Sequence, residues 1–171
     1  MAIFYFYGKD IYQPSFNLCM SETFKKIVDV LIVEDNLSLR ESISDLLKSS
    51  NDTFHYNVME AASGEEAVKK VMDHNFEIII MDYRMPPGIS GLEATRRILE
   101  LKPEVKILSF TTDYIAVEEM CEAGAKGGIS KNFKRGELNE AIKTLLAGKT
   151  YFSIDIAKYF DFINKSKESD R

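Results

Sequence analysis

Ile27-Val28-Asp29-Val30-Leu31-Ile32-Val33-Glu34-Asp35-Asn36 is a nearly continuous apolar run that stops at an acidic pair. A strand with one solvated face would alternate apolar and polar residues. This one does not, so it reads as a strand buried on both faces, the kind found in parallel sheets covered by helices. The chain beyond it repeats the motif. Leu39, Ile43, Leu46 and Leu47 fall at i, i+4, i+7 and i+8, one apolar helical stripe.

The alternation continues to Gly148. A weaker strand is predicted around residues 54–60. Ser63 then reads as an N-cap with Glu66 three residues on, a capping box opening a helix whose core face is Ala67, Val68, Val71 and Met72. Residues 76–81 are the third strand and 91–101 the third helix, which stops before Pro103 because the residue preceding a proline resists helical geometry. Residues 105–110 are the fourth strand. Val117, Met120, Cys121 and Gly124 mark the fourth helix, and Gly128 to Ser130 the short fifth strand. Leu138, Ile142, Leu145 and Leu146 form the fifth helix, ended by Gly148. Five βα units imply right-handed crossovers and a parallel sheet covered by helices on both sides. This unit occupies residues 27–148. Residues 1–26 are an N-terminal extension, either upstream of a start at Met20 or an added edge strand or arm. Residues 149–171 are a C-terminal tail or the beginning of a linker with no output domain following, in which Phe152, Ile156, Tyr159, Phe160 and Ile163 would make a short amphipathic helix.

Composition narrows the function. The 171 residues carry a formal charge of −5, without the basic footprint that phosphate-backbone binding needs, so direct nucleic-acid binding by this stretch is not expected. No apolar run is long enough for a membrane span. Cys19 and Cys121 match no metal-ligand spacing and read as reduced thiols of a cytoplasmic protein. His55 and His74 fall in surface connections, as exposed residues rather than ligands or bases.

Ligands of such sheets bind beyond the carboxyl ends of the strands. There stand Glu34 and Asp35 after the first strand, Asp82 after the third, Thr111 after the fourth and Lys131 after the fifth. Three neighbouring carboxylates repel unless a cation joins them. Oxygen ligands with no His or Cys suit Mg²⁺ rather than zinc. Asp82, central on the third strand, is the natural nucleophile toward phosphorus, with Glu34 and Asp35 holding the metal. Lys131 and the Thr111 hydroxyl would neutralise charge on the equatorial oxygens. A lone Asp at a strand end is usually a cap or turn residue; five such groups in order are not explained by capping.

Val33-Glu34-Asp35-Asn36, Met81-Asp82-Tyr83-Arg84-Met85-Pro86, Ile107-Leu108-Ser109-Phe110-Thr111 and Ala123-Gly124-Ala125-Lys126-Gly127-Gly128-Ile129-Ser130-Lys131 closely resemble the receiver domains of two-component response regulators. The resemblance runs from about Val28 to Gly148 and implies an α/β fold, a doubly wound, flavodoxin-like parallel sheet of strand order 2-1-3-4-5. It implies Asp82 as phosphoacceptor, Glu34 and Asp35 as the acidic pair binding Mg²⁺, and the backbone carbonyl of Arg84 as a further ligand. It also implies Thr111 as the switch hydroxyl, Lys131 as the ammonium pairing with the phosphoryl group, and a sensor histidine kinase or phosphotransfer protein as donor. The chain would then be no enzyme beyond catalysing its own phosphorylation and slow dephosphorylation. Leu138 to Ser153 is similar to receivers preceding a LuxR-type helix-turn-helix, which points to transcriptional regulation; homodimer formation stays open.

Three departures from the family pattern stand out. Gly128 takes the place of a Tyr or Phe that usually changes rotamer with the switch Thr, so activation cannot couple in the usual way. Pro86-Pro87-Gly88-Ile89-Ser90-Gly91 is one residue longer than the common loop. Asn132 replaces a proline after Lys131, and a cis bond before Asn costs about 2.5–4 kcal/mol, so this peptide is expected trans. Two other classes share the fold. A haloacid-dehalogenase-like phosphatase needs a second Asp where Arg84 stands. A flavodoxin-like binder needs a Gly/Ser/Thr-rich first loop where Glu34-Asp35-Asn36 would repel phosphate. A third reading is a stand-alone interaction protein that works without phosphorylation.

Overall fold

A computed structural model describes residues 25–50, 53–134 and 136–169. The reading of residues 1–24 as an extension or arm lies outside the described residues. The elements in chain order are β1 (Lys26–Val33), α1 (Leu37–Lys48), β2 (Phe54–Ala61), α2 (Gly64–Asp73), β3 (Ile78–Asp82), α3 (Gly91–Leu101), β4 (Lys106–Thr111), α4 (Tyr114–Glu122), β5 (Gly127–Ser130), α5 (Glu137–Leu146), β6 (Tyr151–Phe152) and α6 (Ile154–Ser169). All strand pairings are parallel, in the order β2-β1-β3-β4-β5-β6.

The five-stranded order 2-1-3-4-5 is present, and a sixth strand extends it. The sequence reading ends the unit at residue 148, yet Tyr151 and Phe152 pair with Gly127 and Gly128 of β5, and α6 folds back beside them. Two residues are too short to show a strand period, which is why this strand was invisible to pattern.

Alternation along the inner strands builds two apolar layers. Ile78 and Ile80 of β3, with Leu108 and Phe110 of β4, face the layer made with Ile43, Leu47, Leu138 and Ile142 from α1 and α5. Ile79 and Met81, with Ile107, face the opposite layer with Val71, Ala94, Ile98 and Met120 from α2, α3 and α4. Every residue of β3 is buried, Asp82 included, as expected of a central strand with helices on both faces.

Local sequence rules place the helix starts. Asn36, Ser63, Ser90 and Asp113 cap α1, α2, α3 and α4 by accepting backbone N–H groups in the first turn. Glu66 closes the box at Ser63 in a shifted form: its Oε2 accepts the N–H of Ala62, at 2.8 Å, rather than that of the cap residue. Met72 is 61% exposed, not in the core as the stripe suggested. The buried residues of α2 are Gly64, Ala67 and Val71, and Met72 sits about 100° round the helix from Val71. His55 lies in β2 rather than in a connection, and His74 caps the C-terminus of α2; both are exposed. The β3 and β4 strands each run one residue further than predicted, so that Asp82 and Thr111 are their last residues.

Candidate functional site: an acidic pocket at the sheet rim

The parallel sheet delivers the C-terminal ends of β1, β3, β4 and β5 to one rim. Glu34, directly after β1, and Asp82, ending β3, are 1% and 3% exposed; Asp35 is open to solvent. One carboxylate oxygen from each of Glu34, Asp35 and Asp82 lies within 4.8 Å of the others. Lys131, just past β5, reaches back across the rim. Its Nζ is 2.9 Å from Glu34 Oε2 and 3.0 Å from Asp82 Oδ1. Thr111 is 4% exposed, and its Oγ1 accepts the N–H of Asp113 at 3.1 Å. The structure thus brings together four of the five side chains that the sequence singled out, Glu34, Asp35, Asp82 and Lys131, while Thr111 ends β4 on the same rim. Arg84 lies in the loop after β3, and its exposed guanidinium pairs with Asp113 at 2.9 Å.

The charges in this pocket are not balanced. Burial pushes the Glu34 carboxyl above its usual range; Lys131 opposes the shift and the nearby Asp82 adds to it. Burial likewise raises Asp82, against the pull of Lys131 and of the backbone N–H groups of Arg84 and Tyr83. For Lys131 burial works toward a lower value, but the two carboxylates outweigh it and hold the ammonium above its ordinary value. One ammonium therefore pairs with two of the three carboxylates, Glu34 and Asp82, and not with Asp35. Glu34 Oε2 has no partner other than that ammonium. An oxygen-only donor set, partly buried and short of positive charge, fits a hard divalent cation such as Mg²⁺ better than zinc.

Several residues that frame the pocket were not singled out from sequence. Arg40, on the first turn of α1, donates from an Nη to the carbonyl of Glu34 at 2.6 Å and from Nε to Glu60 at 3.3 Å, tying the acidic loop to β2. A basic residue near the inner side of an amphipathic helix was the available signal. Gly91 opens α3 against the backbone of Asp82: a Cβ there would stand 1.8 Å from the Asp82 carbonyl oxygen. Only a residue without a side chain allows that approach. Glu65 of α2 accepts the N–H of Ile89 at 2.8 Å and so braces the longer loop after Asp82. That hydrogen bond also holds the Glu65 carboxyl below its usual range. Tyr83 hydrogen-bonds to Glu119 of α4, which joins the same loop to the next helix. The Lys131–Asn132 peptide is trans as expected; the cis bond among the described residues is Pro86–Pro87.

A doubly wound α/β sheet with a carboxylate cluster and a lysine at its carboxyl rim defines a narrow class. The sequence model of the response regulator receiver domain matches residues 30–143, and the chain belongs to that family. Among solved structures, a two-component response regulator of the LuxR family from Aurantimonas is 31% identical, with TM-score 0.71, over 78% of this chain and 94% of that one. The receiver domain of a Pseudomonas aeruginosa sensor histidine kinase, solved with a magnesium ion in its active-site cleft, is 29% identical, with TM-score 0.63, over 70% and 98%. Among curated proteins, the oxygen regulatory protein NreC of Staphylococcus epidermidis is 36% identical over 82% of this chain. The chain spans 66% of that relative's length. Its resemblance to receivers that precede LuxR-type domains is thus shown. Among the described residues no helix is long and apolar enough to cross a membrane.

Proposed function

We propose that Asp82 is the phosphoacceptor of this receiver domain, taking a phosphoryl group from a phosphohistidine on a sensor kinase or phosphotransfer protein. The convergence of Glu34, Asp35 and Asp82 within 4.8 Å, under a single lysine, carries the reading. Asp82 attacks phosphorus with a carboxylate oxygen, and an acyl phosphate bond forms as the P–N bond breaks. The departing imidazole keeps the electron pair. Lys131, already 3.0 Å from Asp82, stays beside the new phosphoryl oxygens, and Thr111 offers its hydroxyl proton to one of them. Glu34 and Asp35, with Asp82 and the backbone carbonyl of Arg84, would hold Mg²⁺. When bound, that ion supplies charge neutralisation at the transferring group. Such self-phosphorylation, with slow hydrolysis, is the only catalysis we assign.

Phosphorylation adds about −1.5 to −2 charges next to Thr111 and Lys131. The likeness to LuxR-family regulators supports control of transcription in the cytoplasm as the output. This stretch itself, at a net charge of −5, is not proposed to contact DNA.

Acetyl phosphate with Mg²⁺ should add one phosphoryl group per chain by intact mass, and none to Asp82→Ala or in the presence of a chelator. Stoichiometric labelling of Asp82→Ala would overturn the assignment.

A further inference from the structure

The β6–α6 segment rests on the pocket's two flanks at once. On the β5 flank, Ser153 donates its N–H to the Gly128 carbonyl at 3.0 Å, and its Oγ accepts the N–H of Ser130 at 3.3 Å. Ser153 is buried, and Ser130 immediately precedes Lys131. Two residues into α6, Ile156 is fully buried over Gly128. A Cβ at position 128 would meet Val117 Cγ1 at 2.5 Å and Ile156 Cδ1 at 3.3 Å, so Val117 of α4 and Ile156 of α6 together take the space that a side chain there would claim. On the β4–α4 flank, the Tyr159 ring stands 5.4 Å from that of Tyr114. Tyr114 follows Asp113, whose N–H is held by the Thr111 hydroxyl. Each anchor of the helix is thus a residue or three away from Lys131 or Thr111.

We propose that α6 is a strap set by the chemical state of Asp82: seated while the aspartate is free, released when it carries a phosphoryl group. This rests on the reading of Asp82 as phosphoacceptor. A phosphoryl group draws the Thr111 hydroxyl toward itself, and a rotamer change at Thr111 takes its oxygen from the Asp113 N–H. The first turn of α4 then shifts, and Tyr114 leaves Tyr159. Lys131, shared among more oxygens, moves the end of β5 on which Ser153 is hung. Among the described residues, β6 pairs over two residues and Ile156 is the segment's one fully buried apolar side chain, the Phe152, Tyr159 and Phe160 rings being only half-buried. Elements so lightly anchored are the ones that open locally. Gly128, the departure from the family pattern, leaves room for Val117 of α4 and Ile156 of α6 to meet over β5.

The test is hydrogen exchange followed by mass spectrometry on the full chain, with and without acetyl phosphate and Mg²⁺, the intact mass of the same samples giving the labelled fraction. Amides of residues 154–163 should exchange about tenfold faster in the labelled protein, within the usual span of coupling between sites. Asp82→Asn should show no such change. Linkage is reciprocal, so Tyr159→Ala, which frees the helix, should bind beryllofluoride, a non-covalent phosphoryl mimic, about tenfold tighter than the parent chain. Full labelling with unchanged or slower exchange in α6 overturns the strap and leaves the phosphoacceptor standing. Absence of labelling at Asp82 removes the phosphoacceptor, and the strap with it.

Discussion

The sheet has two edges, and they are held in opposite ways. At one, β2 lies along β1 through an eight-residue register from Lys26↔Phe54 to Val33↔Ala61. Polar ties reinforce it: Asn57 to Asp29 at 2.6 Å, and Arg40 to Glu60. At the other, β6 pairs over two residues and is kept in place by α6, through Ile156 and the rings of Phe152, Tyr159 and Phe160. The first edge belongs to the cooperative core, since α1 covers it and Tyr56 enters the main apolar layer. The second is an attachment. The acidic pocket lies between them and leans on both, on Arg40 from one side and Ser153 from the other. An edge that is part of the core fixes the site's geometry, whereas an attached edge can report its state.

The sharpest way to break this contrast is to cut one apolar anchor at each edge. Tyr56 is 4% exposed and packs within the β1–α1–α5 layer. Tyr56→Ala should cost about 3 kcal/mol or more, the usual penalty for emptying an aromatic core site. Urea denaturation should show it as a shift of a single cooperative transition. Ile156→Ala should behave differently. The loss is limited to about 2 kcal/mol, because a strap can detach once its seat costs more than it returns. The main urea transition should stay near that of the parent chain while amides in α6 lose protection. Equal shifts of the main transition by both substitutions would show that the two edges are alike.

Legibility in sequence follows the same division. The core edge and the pocket were readable because each depends on side chains that are present. Apolar runs gave the strands, Ser63 marked a helix start, and polar side chains at strand ends gave Glu34, Asp35, Asp82, Thr111 and Lys131. The attached edge depends on a side chain that is missing. Gly128 appears in the sequence only as a departure from the aromatic usual in the family, and nothing local says that Val117 and, from 28 residues later, Ile156 share the space. Gly91 teaches the same lesson: its value is the backbone approach to Asp82, which no periodicity reveals. Arg40 and Glu65 were missed because their partners, a carbonyl after β1 and an N–H in the loop after β3, are remote in sequence. Met72 failed for a plainer reason, since a stripe read one residue too wide puts its last member in water.

A smaller effect sharpens how the core edge supports the pocket. Arg40 keeps only 11% of its side chain exposed and spans from the Glu34 carbonyl to Glu60. Arg40→Met keeps much of the packing and removes both contacts, and should cost about 1 kcal/mol, the net worth of hydrogen bonds that water can partly replace. Since Arg40 holds the backbone that aims Glu34, the same substitution should weaken Mg²⁺ binding several-fold by isothermal titration. A corresponding cut on the attached edge, Tyr151→Phe, should leave Mg²⁺ binding unchanged. Matching losses in both variants would contradict the division of labour.

The smallest effects carry opposite signs on the pH axis. Next to β2, the N–H of Ala62 and then Lys70 hold the Glu66 carboxyl below the ordinary glutamate value of 4.5. A lowered carboxylate stabilises the fold above its unfolded value and loses that contribution as pH falls through the folded one. Glu66→Gln should therefore cost about half a kcal/mol at neutral pH, after allowance for solvent screening, and progressively less as pH falls below 4.5. Beside β6, burial first, and then the charges of Glu137 and Glu140, push the Tyr151 phenol well above its ordinary value of 10.0. Below that value neither state ionises and stability does not change with pH; above it the unfolded phenol loses its proton while the folded one keeps it, so stability falls as pH rises. Acid should thus loosen the β2 edge, and alkali the β6 edge. Limited proteolysis above about pH 10 should cut first near α6, and Tyr151→Phe should remove that alkaline step. Cleavage near α6 that is as steep in Tyr151→Phe as in the parent chain would show that the phenol does not set the pH response of this edge.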